Sequence, residues 1–210
     1  MHVVWTSWRD NKRREDFRSN QNNSYWWPNQ RFLKFAEDYF QSWKTAIDIA
    51  SWNGRYALEL AKIGYQTEAL EYSQAWVERI IKSASDQSLE VTAYQGDFTK
   101  DFATIWSYDL VLSSWLLEEV DTVHHQNIIS WYQNATKSGW LCMIKWCIEI
   151  SGRGVLVNEW WIHKEFENKE WKILEFREKK EMKSSNASIK FTNEFDAAIR
   201  TGTLVAKKID

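Results

Sequence analysis

The sequence predicts an α/β fold, a doubly wound and mostly parallel seven-stranded sheet covered by helices on both faces and completed by an antiparallel C-terminal hairpin. Three observations carry this expectation. From about residue 44 to 148, short apolar runs alternate with segments of helical periodicity. A tight loop, Ala50-Ser51-Trp52-Asn53-Gly54, joins the first apolar run to the first helical segment. Glu71 ends the second run 23 positions after Asp48, which is the length of one strand-loop-helix-strand unit of a parallel sheet.

Each element has its own signal. Phe32, Leu33, Phe35, Ala36, Tyr39 and Phe40 recur at helical spacing and form an amphipathic leading helix, with Pro28 suited to its first turn. Strands are expected at about 44–49, 66–71, 89–94, 107–113 and 139–148, and helices at 54–63, 73–84 and 122–136. The segments Trp171–Arg177 and Thr203–Lys208 read as two further strands separated by a polar, irregular stretch, and they most simply pair as an antiparallel hairpin at one edge of the sheet. The 210 residues read as one domain: a helical segment over 1–40, a core over 41–150 and a sheet-closing part over 151–210.

Composition excludes several functions. The net charge of -2 provides no positive field to recruit nucleic acid or acidic lipid, and the run Arg9–Asp16 mixes both signs. Cys142 and Cys147 lack the spacing of a metal or redox motif, so no metal site is expected. The N-terminal residues carry charges where a secretory signal needs an apolar run, and no stretch has the roughly 18 apolar residues of a membrane span, so a cytoplasmic location is expected. Fifteen tryptophans stand beside only 7 glycines and 1 proline, more large rings than a core needs as filling.

An open α/β sheet takes its ligand at the carboxyl ends of its strands, so the loop Ala50–Gly54 and Glu71 should face one crevice. Four motifs lie along that edge: Asp48-Ile49-Ala50-Ser51-Trp52-Asn53-Gly54, then Glu71, then Gly96-Asp97-Phe98, then Tyr108-Asp109-Leu110-Val111-Leu112-Ser113-Ser114 followed by Leu116-Leu117-Glu118-Glu119-Val120. In this order they resemble class I S-adenosylmethionine-dependent methyltransferases, in particular the small kind with a methyltransferase-11, methyltransferase-25 or tellurite-resistance-like core, over roughly residues 25 to 210. The resemblance implies a Rossmann-like methyltransferase fold with S-adenosylmethionine as cofactor and S-adenosylhomocysteine as product. The family's first loop has glycine at three alternate positions; this chain has Ala50, Trp52 and Gly54 there. A nicotinamide fingerprint would require glycine at 50, 52 and 55, and Arg55 stands at the last.

The resemblance implies cofactor contacts from Asp48, Ala50, Trp52, Gly54, Glu71, Tyr72, Asp97, Phe98 and Ser113. Glu71 would accept from the ribose hydroxyls; the rival role is a solvated acid at a helix start capped by Ser73. Asp97 would accept from the adenine amine with Phe98 beside the ring, or serve as a turn acid. Trp52 and Trp115 offer indole faces to a cationic sulfonium or a flat substrate, or fill space. His124 or His125 could act as a base at the rim, though an adjacent pair on one helix cannot both face inward. Tyr25, Trp26, Trp115 and Arg153 are substrate candidates: the first two as a lid or a staple for the leading helix, Arg153 as a carboxylate grip or part of a flexible turn.

Methyl transfer to a small molecule or short peptide is the expected function, with O, N and carboxylate acceptors all open. A catalytically inactive binding or scaffold subunit is the alternative, motivated by the two replaced glycines. A homodimer or a partner subunit is equally open.

Overall fold

A computed structural model describes residues 28–100, 107–150, 154–155, 157–181 and 199–209. The expected alternation is present: α1 (Gln30–Tyr39), β1 (Thr45–Ile49), α2 (Arg55–Ile63), β2 (Gln66–Glu71), α3 (Gln74–Asp86), β3 (Val91–Gln95), β4 (Tyr108–Ser114), α4 (His125–Ala135) and β5 (Thr136–Ile150). A short β6 (Gly154–Val155), α5 (Glu159–Phe166), β7 (Trp171–Glu181) and β8 (Ile199–Lys208) follow. The strands lie in the order β3-β2-β1-β4-β5-β8-β7, with β6 paired to β5. The first five are parallel, and β8 runs antiparallel to both β5 and β7.

The structure adds detail to the sequence reading. The C-terminal strands pair as the expected antiparallel hairpin at one edge, with β8 between β5 and the outer strand β7. Helix α5 lies before β7, where no element was expected; Asn158 starts it by accepting from the amides of Trp160 and Trp161. At α1 the cap is Asn29, whose side chain accepts from the Arg31 amide, and Pro28 precedes it.

Strand alternation divides the core between the two faces of the sheet. On one face α1 and α2 bury Phe32, Leu33, Ala36, Tyr56 and Leu60 against Ala46, Leu110, Leu112, Leu141 and Met143. The other face gathers Ile47, Ile49, Val111, Ile144 and Trp146 with Ile128, Tyr132, Ile162 and Phe166 from α4 and α5. Helix α1 is tied in at its amino end, where the Asn29 amide donates to the Tyr56 hydroxyl and Arg31 pairs with Glu175 on β7, and farther along by the Tyr65 hydroxyl, which donates to the Ala36 carbonyl at 2.9 Å. Trp146 is fully buried opposite Gly202 of β8, whose missing side chain makes room for the indole. Among the described residues no helix is long and apolar enough to cross a membrane.

Candidate functional site

The carboxyl ends of β1, β2 and β4 converge on the loop after β1. Ala50, Trp52 and Gly54 all have positive φ, at 57°, 53° and 74°. This left-handed conformation is natural for glycine and costs other L residues roughly 1–2 kcal/mol each. The loop thus keeps a glycine-type path while bearing alanine and tryptophan. It is held by hydrogen bonds: the Ser51 amide donates to the Leu70 carbonyl at 3.2 Å, the Gly54 amide to the Ser51 carbonyl at 2.8 Å, and the Trp52 amide to Glu71 Oε2 at 2.9 Å. At Gly54 a Cβ would come within 2.8 Å of Ile80 on α3, so side-chain bulk is excluded there as well.

Glu71 is buried, not solvated, with 4% of its surface exposed. Its Oε1 accepts from the Ser73 amide at 3.0 Å. Ser73 is the N-cap residue of α3, yet its hydroxyl makes no cap bond, and that buried oxygen has no partner. A carboxylate fixed by two backbone amides beside an orphaned hydroxyl suits a ligand that brings its own hydroxyl groups.

Asp48 lies beneath the loop. Its Oδ2 accepts from the Ala57 amide at 3.1 Å, capping the third residue of α2, where Gly54 supplies no side chain. Burial pushes its carboxyl up to about 7, although Arg55 and the Ala57 amide both favour the charge and Glu71 opposes it. Arg55 spans the gap between β1 and β4. Its Nη2 donates to Ser114 Oγ at 3.3 Å, and its guanidinium lies 6.0 Å from the Trp52 ring and 5.2 Å from that of Tyr56.

The other expected residues are spread more widely. Asp97 is engaged in its own turn, accepting from the Thr99 amide and hydroxyl and pairing with Lys100 at 2.8 Å. Burial opposes its charge, but Lys100 and Thr99 outweigh burial and hold the carboxyl below its ordinary value. Phe98 is buried in the core, and Tyr72 packs against the same cluster. Ser113 accepts from the Tyr132 hydroxyl of α4 at 2.7 Å. Trp115 has a φ of 68°, and the ammonium of Lys145 sits 5.4 Å from its ring.

The two histidines separate as the adjacency argument requires. His125 is buried with Nε2 2.7 Å from the Leu117 carbonyl, and its ring tilts against Trp161; burial lowers its pKa, and the ring lies in the core. His124 is half-buried at the end of the 3-10 turn Thr122–His124. Tyr25, Trp26 and Arg153 lie outside the described residues. Among the described residues no group of three His, Cys, Asp or Glu side chains gathers to hold a metal. Cys142 and Cys147 are buried free thiols, and burial raises both pKa values.

Sequence reasoning assigned no site role to Arg55 or Ser114, and read Ser73 only as a helix cap. Only Arg55 carried a signal, a cation directly after the last loop glycine. Glu118 was noted as part of a segment, but nothing in the sequence marked its burial.

Residues 47–143 match the family model described as a methyltransferase domain. None of the curated proteins matches the sequence significantly. Among solved structures, TehB from Haemophilus influenzae superposes with a TM-score of 0.73 at 15% identity, covering 91% of this chain and 65% of TehB, so this chain spans just under two thirds of that protein's length. A TehB-like SAM-dependent methyltransferase from Corynebacterium glutamicum gives 0.61 at 12% identity, covering 95% and 96% of the two chains. Magnesium protoporphyrin IX methyltransferase from Synechocystis, solved with bound SAM, gives 0.63 at 15% identity over 85% and 77%. Residues 47–143 are thus similar to a methyltransferase domain, and the chain has the fold shared by these solved structures.

Proposed function

We propose that this chain binds S-adenosylmethionine at the carboxyl ends of β1 to β3 and transfers its methyl group to a small molecule or short peptide. The observation that carries this reading is the positive φ at Ala50, Trp52 and Gly54. Two non-glycine residues retain a costly backbone conformation that suits close approach of a ligand to the main chain.

The residues fit the cofactor by chemistry. Glu71, with the orphaned Ser73 hydroxyl beside it, would receive the ribose hydroxyls. The loop from Ala50 to Gly54 would lie along the methionine portion, with Arg55 as the nearby cation for its carboxylate. Asp48 holds the loop and the start of α2 in place from below. When bound, S-adenosylmethionine supplies a methyl carbon already activated by its sulfonium. The protein's own work is then to align the acceptor and exclude water.

The test is a melting experiment with S-adenosylhomocysteine. Binding to the native state alone raises the midpoint as ligand concentration exceeds its Kd. A rise that Glu71→Ala abolishes and His124→Ala retains supports the reading. No rise for the unaltered protein at millimolar ligand defeats it.

A further inference from the structure

Strand β3 is a free edge of the sheet, with β2 on its inner side and no strand beyond it among the described residues. The Gly96 amide donates to the Glu71 carbonyl at 2.9 Å and Glu71 lies opposite Gln95, so Thr92, Tyr94 and Gly96 turn their main-chain groups inward to β2. The amides and carbonyls of Val91, Ala93 and Gln95 therefore point outward, and none of them is paired among the described residues. Such a row is a template for another strand, which proteins block with charge, proline or a bulge. The opposite edge, β7, is blocked in this way: it carries Lys172, Arg177, Glu178 and Lys179, and its register breaks between Ile173 and Glu175. The run Val91-Thr92-Ala93-Tyr94-Gln95 has no charge and no proline, and its register with β2 is unbroken.

Helix α3 adds an apolar group to this bare edge. It packs over β3, where Ile80 joins Ala57 and Ala69 in a small core against Val91 and Ala93. Ile80 leans toward the start of α2, since a Cβ on Gly54 would come within 2.8 Å of it. Ile81 is about 100° further round the helix, on the flank away from α2, and stands 48% exposed at the free edge.

We propose that this chain forms a two-fold homodimer in which β3 pairs antiparallel with β3 of a second copy, centred on Ala93. The occupant is a second copy because the edge is complementary to itself. With Ala93 opposite its counterpart, Val91 of each copy faces Gln95 of the other, and every facing pair of outward residues exchanges both of its main-chain hydrogen bonds. Thr92 then lies opposite Tyr94 of the other copy, a β-branched residue against an aromatic one, which is a favourable cross-strand pair. The two-fold axis is perpendicular to the sheet and keeps both α3 helices on one face, so the exposed Ile81 of each copy meets its counterpart. The two helices run antiparallel there, which sets Glu78 beside Ser85 of the other copy, and no acid meets its own image. The inference does not depend on the cofactor reading.

Analytical ultracentrifugation of the full chain from about 1 to 200 µM tests this. The mass should rise from 25.1 kDa to twice that value across the range. Ala93→Pro removes only an outward amide, which an edge strand tolerates, and should weaken the dimer at least about tenfold. Ile81→Lys leaves the strand untouched and should weaken it by a similar factor; if Ala93→Pro fails to fold, this variant decides. In a protein carrying both Thr92→Cys and Tyr94→Cys, the new thiols of the two copies lie opposite each other, so mild oxidation should give a covalent dimer that neither single variant gives. A mass that stays at 25.1 kDa throughout, assembly that grows past two copies as pairing of β3 with β7 would produce, a dimer indifferent to Ile81→Lys, or a dimer in which the double cysteine variant forms no covalent link each overturns the proposal.

Discussion

The backbone amide of Trp52 donates to Glu71 Oε2 at 2.9 Å, joining the loop after β1 to the end of β2 through a residue whose φ is 53°. The contact uses the main chain, so the loop's path does not depend on the indole. Ala50→Gly should therefore stabilise the protein by about 1 kcal/mol by relieving the positive φ, read from the urea midpoint. Trp52→Gly should leave S-adenosylhomocysteine affinity within about threefold, and a much larger loss by calorimetry would show that the indole itself holds the ligand.

Glu71 carries both structure and the proposed ribose contact. Replacing it with alanine leaves the amides of Trp52 and Ser73 without their acceptor. Hydrogen bonds to a charged group contribute about 1.5–3 kcal/mol each, so Glu71→Ala should lower stability by at least about 2 kcal/mol and abolish measurable S-adenosylhomocysteine binding. Glu71→Gln, which still accepts from one amide, should recover part of the stability.

Asp48 makes stability depend on pH. Its folded carboxyl titrates at about 7 because burial disfavours the charge, above the ordinary value of 3.8. Between those values the unfolded chain has lost the proton and the folded chain retains it. The contribution of Asp48 is thus fully present below about pH 4 and is lost as pH rises through about 7, with a slope approaching about 1.4 kcal/mol per pH unit. Asp48→Asn should flatten that part of the profile in urea midpoints recorded from pH 4 to 8.

Gly202 faces the fully buried indole of Trp146, and a Cβ there would lie 2.2 Å from the ring. Gly202→Ala should destabilise the protein by about 1–3 kcal/mol through overpacking, visible as a lower melting point and a red shift in tryptophan emission.

Asp109, at the amino end of β4, pairs with Lys44 at 3.3 Å and Lys137 at 2.9 Å and accepts from the amide and hydroxyl of Thr45. It lies at the opposite end of the sheet from the crevice. Asp109→Ala should cost about 3 kcal/mol of stability and leave S-adenosylhomocysteine affinity unchanged at a temperature where the variant is folded. A matching loss of affinity would show that the two ends of β4 are coupled.

The legible parts were those encoded locally. Runs such as Ala46–Ile49 and Leu110–Leu112 revealed strands by their apolar character, and Phe32, Leu33 and Ala36 revealed α1 by spacing. Helix α5 was missed because it is only 8 residues long and its Trp-Trp-Ile start has no clear period. The position of β8 between β5 and β7 was equally hidden, since pairing across more than 50 residues is set by the whole sheet. The placement of Asp48 and Glu71 at the ends of β1 and β2, beside the loop, could be read from their spacing. Ser113 and His125 could not: each turns toward the core to meet Tyr132 or Leu117, partners contributed by other elements.

By itself the sequence determined the order of the elements, the strand ends at which the proposed ligand site lies, and the loop with Ala50 and Trp52 in place of glycine. These follow from side-chain period and from the fixed length of a strand-loop-helix-strand unit. Only the tertiary structure decided that Ala50 and Trp52 adopt glycine's backbone conformation, that Glu71 fixes the loop, and that the Glu118 carboxyl is closed away from solvent. A dihedral angle in a loop is set by the hydrogen bonds at its ends, and burial of a carboxyl by the strands packed around it. Both depend on groups far apart in the chain, which no local pattern records.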